Sequence, residues 1–320
     1  MGGEHRDNRL RAIICVLAAV GFASTQDAIV KSMSGEVSAY EAVMLRCLGS
    51  FPVLAVMLAR TSGFASLATP LFGRVLLRGF ILCAGYFTFV MSIAAMPIAN
   101  SVAIYFTMPF FVAGLAGPML GEHVRIHRWL AIAAGFIGVL IMVRPGAGVF
   151  EPAALLALAS AFFYAIGQVL SRSIAQEVPL AVIATWQNIV YFSVGLLFAI
   201  VFNSLDMSGF THKSLVFLSR PWVWLPVLDL AILAGVGVFA AFGMILFVSA
   251  YKYGESNFVA PFEYSSMIWA LSYGLLIFGD FPDRFTWMGA AVVVVAGILM
   301  IWRDRQLDRV GGVKTHTNSG

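Results

Sequence analysis

Charge is scarce in this sequence. Only 11% of its 320 residues are Asp, Glu, Lys or Arg, while 60% are apolar and the mean hydropathy is +0.90. Soluble domains carry roughly 25% charged residues, so a chain this poor in charge cannot clothe a globule of its size for water. Cysteine is scarcer still: Cys15, Cys47 and Cys83, all within apolar stretches. An odd number without ligand spacing excludes a disulfide framework and a zinc ribbon, and the three thiols are expected to pack as small hydrophobes. The five histidines (His5, His123, His127, His212, His316) fall in loops or tails, which leaves no nucleophile–base set at membrane depth and argues against an embedded enzyme. No glycine-rich phosphate loop is present, so the chain does not hydrolyse ATP. Neither a pore-loop signature nor a soluble sensor domain is visible.

What the sequence has is long apolar runs. They fall at about 12–30, 42–59, 75–94, 101–120 and 129–143, then at 153–170, 182–202, 227–250, 258–278 and 287–302. Each is long enough, or nearly so, for a bilayer-spanning helix, and none alternates as the strands of a membrane barrel do. The fold class is therefore all-α, a polytopic membrane protein of ten transmembrane helices. Arg9 and Arg11 precede the first run as in a signal peptide, but the run continues and further spans follow, so it reads as a retained helix. The polar stretch 203–220 reads as a loop, and the charged, then Gly/Thr/Asn/Ser-rich tail 304–320 as disordered.

Net charge is +4 with a pI near 9.1. In a membrane protein such an excess reports cytoplasmic loops. With the N-terminus inside, the outer segments hold Lys31, Arg144, Lys213, Arg220 and Arg284. Arg46 lies within the second span, and the other fourteen of the twenty basic residues are inner. Both termini are expected in the cytoplasm and the chain in the inner membrane.

The two halves echo each other. Residues 138–144 (GVLIMVR) match 297–303 (GILMIWR), and Gly121-Glu122 with Trp129 matches Gly279-Asp280 with Trp287. Gln26 before Lys31 has a looser echo in Gln168 before Arg172. Five crossings per half is an odd number, so the second half must lie inverted relative to the first. Inverted repeats are a recurring plan of secondary transporters, with the solute site near mid-membrane where the repeats meet. The loop charges agree: 122–128 holds two arginines, whereas 280–284 is net acidic.

Taken together, the 5+5 plan, the helix end Pro118-Met-Leu-Gly-Glu122, and the Trp-started helix closing in GVLIMVRP at 138–145 resemble the drug/metabolite transporter superfamily, and within it the EamA-type branch. The likeness covers about residues 10–303. It implies one EamA-like repeat over 10–145 and a second over 151–303, the latter with Gly-Asp-Phe-Pro in place of Gly-Glu. It also implies transport of a small organic solute; related branches are associated with amino acid or toxic-metabolite export, nucleotide-sugar exchange, S-adenosylmethionine uptake and riboflavin uptake.

Ionisable groups at membrane depth are costly and mark cavities or partners. Asp27, with Gln26, lies near the outer end of the first span and Arg46 about two turns into the second. They are expected either to pair structurally or to bind the solute, with Arg46 on an anionic or carbonyl group and Asp27 orienting it. Glu263 stands two residues after Pro261, which frees a carbonyl in the preceding turn. It is either a proton-coupling carboxylate or a mouth residue bonded to a tyrosine or Lys252. Gln168 and the run Trp186-Gln187-Asn188 are the second-half counterparts of Gln26 and Arg46, with Gln187 opposite Arg46; interhelical amide bonding is the plainer alternative. Tyr105 shares its helix with Thr107 and Pro109, and its repeat position falls beside Glu263 and Tyr264. The aromatic and amide content favours a planar, hydrogen-bonding solute, riboflavin first, an amino acid or S-adenosylmethionine as the alternative. His123 and His127 beside Glu122 lack the zinc-protease order and a third ligand, so no metal is expected. No cofactor and no nucleic acid are implied.

Overall fold

The computed structural model describes residues 2–120, 126–144, 151–174, 177–205, 209–253, 259 and 262–314. Among these residues the only regular structure is helical. In chain order the helices are α1 (Gly2–Met33), α2 (Ala39–Thr61), α3 (Phe72–Ala95), α4 (Ile98–Tyr105), α5 (Met108–Leu120), α6 (Ile126–Val143), α7 (Ala153–Ile174), α8 (Leu180–Ser204), α9 (Lys213–Ser219), α10 (Val227–Tyr253), α11 (Ser266–Phe278) and α12 (Arg284–Lys314), with a 3-10 turn at Phe64–Leu67. Seven segments are long and apolar enough to cross a bilayer, and three shorter apolar helices (Trp129–Val143, Ser266–Phe278, Arg284–Met300) stand where three further crossings were expected.

Three expectations are corrected. The fourth window is not one helix: it stops at Tyr105, passes through Phe106 and Thr107, and restarts at Met108. Pro109 has no N–H for the Tyr105 carbonyl, and the Thr107 hydroxyl donates back to Ile104 O at 2.8 Å, which fixes the turn. The stretch 203–220 is not only loop, because α9 lies within it; Phe217 is buried, and the Ser214 hydroxyl donates to Met91 O at 2.7 Å. The tail is helical to Lys314, where disorder was expected from residue 304 on composition alone. Arg303 bonds Gln306 one turn on, a local pairing that carries the helix past the apolar run.

The ninth window breaks as well, through a turn at Tyr264 and Ser265 before α11. The Gly121/Gly279 echo sets an offset of 158 residues, and it carries Phe106-Thr107 onto Tyr264-Ser265. The two repeats therefore break at the same place. There the Phe106 and Tyr264 rings meet edge to face, centroids 4.8 Å apart.

Packing follows the same exchange of halves. Helix α1 lies on α10 as α7 lies on α3; α2 lies on α10 as α8 lies on α3. Pairs α2–α8 and α6–α12 map onto themselves. The ends match too. Lys31 at the close of α1 meets Asp280, and Glu151 just before α7 meets His212, whose segment also reaches the end of α3 through Ser214 and Met91. Helix α1 thus runs toward the end of the bundle from which α7 departs, which is the inversion read from the sequence. Because α12 starts at Arg284, just after Asp280, the start of α1 and the close of α12 share the opposite end. The close crossing of α2 and α10 rests on two glycines: a Cβ on Gly49 would stand 1.8 Å from Ala234 O, and one on Gly237 1.8 Å from Arg46 O. Ser50 fixes the crossing by donating to Gly237 O at 2.8 Å.

Candidate functional site

The Gly237 crossing holds the Arg46 backbone against α10 and turns its side chain into the bundle. The Arg46 Nε donates to Gln26 Oε1 at 3.1 Å, and its guanidinium lies over the Tyr86 ring at 4.7 Å and near the Tyr191 ring at 5.8 Å. Cation–π contacts of this kind grow in worth when water is excluded. Asp27 is half-buried and within electrostatic reach of Arg46, while the Arg46 Nε hydrogen bond goes to Gln26. Adjacent positions on a helix point about 100° apart, and the amide is the one that faces α2.

Tyrosines complete this cluster. Tyr86 and Tyr191 lie 5.7 Å apart, centroid to centroid, and Tyr105 sits edge-on to both Phe89 and Tyr164 at 5.5 Å. Tyr164 is within electrostatic reach of Arg46 and Asp27, so Tyr105 joins the site through it. The Tyr105 hydroxyl donates to Met108 Sδ at 3.3 Å, across the break between α4 and α5. Glu263 is half-buried and within electrostatic reach of Tyr105 in the other repeat and of its chain neighbour Tyr264. Tyr264 is farther from Arg46: its hydroxyl is buried against α12, 2.0 Å from where a Gly297 Cβ would stand. Pro261 and the Lys252 side chain, invoked with Glu263, lie outside the described residues.

The second-half amides divide. Gln187 enters the interior and accepts from Arg78 Nη1 at 2.8 Å, while Arg78 Nε donates to Ser171 Oγ at 2.6 Å. Asn188 bonds Cys47 O at 3.1 Å and ties α8 to α2. Trp186 does not join the site. Its indole N–H is spent on Leu67 O at 3.1 Å and its ring packs edge-on against Phe72 at 4.8 Å. Gln168 is exposed, one turn from both Tyr164 and Ser171 on the same stripe of α7.

Sequence reading missed Arg78, Tyr191 and Glu41. Glu41 is fully buried behind the Ser38 cap of α2, with Oε2 accepting from Val223 N–H at 3.4 Å. It belongs to a set of ties at one end of the bundle. Lys31 Nζ reaches Asp280 Oδ2 at 3.0 Å and Met96 O at 2.9 Å, Arg144 pairs with Asp283, and Arg220 Nη1 donates to Ser34 O and Val37 O at 3.2 Å. Partial burial pulls the Asp283 carboxyl up, but the Thr286 N–H and hydroxyl and the Arg144 guanidinium outweigh it and hold it below the ordinary carboxylate value. Gly279, at φ 66°, ends α11 and sends Asp280 N–H to Gly274 O at 2.8 Å, which aims Asp280 at Lys31. Glu122 and His123 lie outside the described residues, as does the His127 side chain.

An inverted-repeat helical bundle with broken helices at its axis and a cation, amides and tyrosines gathered where its halves meet defines a multi-pass membrane transporter. The sequence profile described as the EamA-like transporter family matches residues 10–144 and again 151–303. The chain belongs to that family. It is 29% identical over 246 residues to a riboflavin transporter of Vibrio cholerae serotype O1, covering 76% of each chain. It is 22% identical over 297 residues to an S-adenosylmethionine uptake transporter of Rickettsia prowazekii, covering 93% of this chain and 94% of the relative. A pseudopaline exporter of Pseudomonas aeruginosa is 27% identical over 292 residues, 90% and 94% of the two chains. A crystal structure shares the fold with a TM-score of 0.60 at 17% identity, over 92% of this chain and 98% of its own.

Proposed function

We propose that this transporter is a secondary carrier of the inner membrane, with both termini in the cytoplasm, and that it moves a planar, hydrogen-bonding metabolite of which riboflavin is the first choice. The observation that carries this reading is the Arg46 guanidinium held over Tyr86 with Gln26 on its Nε. A flat heterocycle stacks on tyrosine faces and accepts from a guanidinium, so both halves of the cluster serve one ligand. The similarity to riboflavin transporters of three bacteria, at 29%, 26% and 25% identity, supports the same choice. The absence of a phosphate-cradling loop from the sequence supports gradient-driven movement over ATP hydrolysis, and the placing of all five histidines outside the apolar runs, away from membrane depth, supports carriage over catalysis.

S-adenosylmethionine is the second reading. Its support is the Rickettsia prowazekii relative, which matches nearly the whole chain. Proteoliposomes preloaded with riboflavin, S-adenosylmethionine or an amino acid separate the readings by counterflow of the labelled solute. Riboflavin counterflow that Arg46→Ala abolishes is the expected result. Product formation without solute movement would overturn transport itself.

A further inference from the structure

Arg78 stands six residues into α3, about 9 Å along the helix axis from its start. Its guanidinium crosses from the first repeat to the second, because both partners, Ser171 on α7 and Gln187 on α8, belong to the other half. Both partners are neutral. Arg46 has the carboxylate of Asp27 within reach, whereas no described carboxylate pairs with Arg78.

The hydrogen-bond polarity of the cluster is fixed. The Ser171 hydroxyl donates its proton to Gly167 O at 2.6 Å, so toward Arg78 it accepts. Gln187 presents its carbonyl to Nη1, which turns its amide N–H2 away from the guanidinium. Among the described residues, no acceptor takes the Nη2 pair, the second Nη1 hydrogen or the Gln187 N–H2. Every one is a donor, and the Arg78 and Gln187 side chains each keep part of their surface exposed. A net positive site offering only donors is complementary to an acceptor-only, negatively charged group, and the planar guanidinium edge matches two oxygens at once.

We propose that Arg78, Ser171 and Gln187 form a second subsite that takes an oxyanion of the solute, a carboxylate or a phosphate. The ring lies at Arg46 and Tyr86, and Tyr191 stands between the two arginines, within reach of both. This rests on the transport reading above and moves its first choice from riboflavin, which carries no acidic group, to solutes with a planar part and an acidic part, such as riboflavin 5′-phosphate or S-adenosylmethionine. Ser171 is a positioning residue here, holding the guanidinium edge toward the ligand, while Gln187 both holds that edge and offers its own N–H2.

The test uses two pairs of probes that differ in the acidic group alone: riboflavin 5′-phosphate against riboflavin, and S-adenosylmethionine against its decarboxylated form. Binding to the purified full chain and counterflow in proteoliposomes are measured for wild type, Arg78→Gln and Arg78→Lys. In at least one pair the acidic member should bind the wild type about tenfold or more tightly, the usual worth of a charge-assisted pair. Arg78→Gln should bring the two members within about twofold by weakening the acidic one only, and Arg78→Lys should keep part of the preference. A merely structural Arg78 would weaken both members equally or lower the melting temperature without changing their ratio, and either result overturns the subsite. If the members are carried equally by the wild type in both pairs, the subsite fails while transport stands. If no probe binds or moves, the choice of solute falls and the subsite with it. Should Arg78→Gln fail to fold, Gln187→Leu, which leaves the charge in place but removes the amide donors, must narrow the ratio in the same direction.

Discussion

Lys31 and Asp280 meet at 3.0 Å, one closing the first helix of the first repeat, the other following the C-terminal turn of α11 in the second. Their side chains are 12% and 33% exposed, so the pair is shielded enough to count. Lys31 also caps the end of α3 through Met96 O at 2.9 Å. One side chain thus links three helix ends across the boundary between the halves, and any motion that parts the repeats at this end must break it.

Reversing that pair tests whether it latches the bundle. Lys31→Asp alone and Asp280→Lys alone should each slow solute exchange, and the double change should recover most of the loss, with a coupling on the order of 1 kcal/mol. Exchange rates in proteoliposomes read the cycle. Additive effects in the double variant would mean that the two residues act independently.

At the same end, Asp283 predicts a null result for pH. Its carboxyl is held below the usual carboxylate value, so the stability it contributes is present above the ordinary value and is lost only as pH falls through its own depressed one. Between about pH 5 and 7 it stays ionised. Asp283→Asn should therefore lower melting temperature by the same few degrees across that range, with no change in the pH profile of transport.

Much of this architecture was legible because lipid leaves only one signal to read, the length of apolar runs, and because the 158-residue echo survives at Gly121/Gly279 and Trp129/Trp287. The site was legible only where a charge sits alone in an apolar run, as Arg46 does. Arg78 was hidden by its neighbour Arg74: together they read as the positive flank of a loop, and its partners stand 93 and 109 residues away. Trp186 and Gln187 misled in the opposite way. They are adjacent in sequence, but a helix turns them about 100° apart, so one packs on Phe72 and the other meets Arg78. Glu41 was unreadable, because only the return of residues 220–226 over α2 buries it.

The α2–α10 crossing should be intolerant of any side chain. Gly49→Ala places a methyl 1.8 Å from Ala234 O, and Gly237→Ala the same distance from Arg46 O. Backbone on the far side cannot yield as a side-chain tip does, so each change should cost about 2 kcal/mol or more. Melting of the detergent-solubilised protein measures this, and the double change should cost less than the sum because both substitutions part the same two helices.

Arg46 is expected to act on the solute and not only on the fold. Arg46→Ala removes the cation from two tyrosine faces and frees Gln26. If its role were only to balance Asp27, the pair Asp27→Ala with Arg46→Ala would restore exchange. The expected result is that exchange stays depressed by about tenfold or more, while melting temperature recovers in part. Full recovery of exchange would assign the pair to structure alone.

We propose Glu263 as the carboxylate that couples transport to protons. It stands in the last helical residues before the Tyr264–Ser265 break, at the position that the 158-residue offset assigns to Tyr105 of the first repeat. It is half-buried and acts on Tyr105, whose own ring contacts lead through Tyr164 toward Arg46. A carboxylate beside a helix break can change its exposure when the two half-helices shift, so proton binding and the conformation of the break become linked quantities. Glu263→Gln keeps the shape and hydrogen-bonding capacity of the side chain but removes its charge change. Accumulation driven by a pH gradient should then be lost, while exchange of labelled for unlabelled solute at equal pH continues at close to the wild-type rate. Loss of both activities together would point to a structural acid supporting the break, and gradient-driven accumulation at the wild-type level would remove Glu263 from the mechanism.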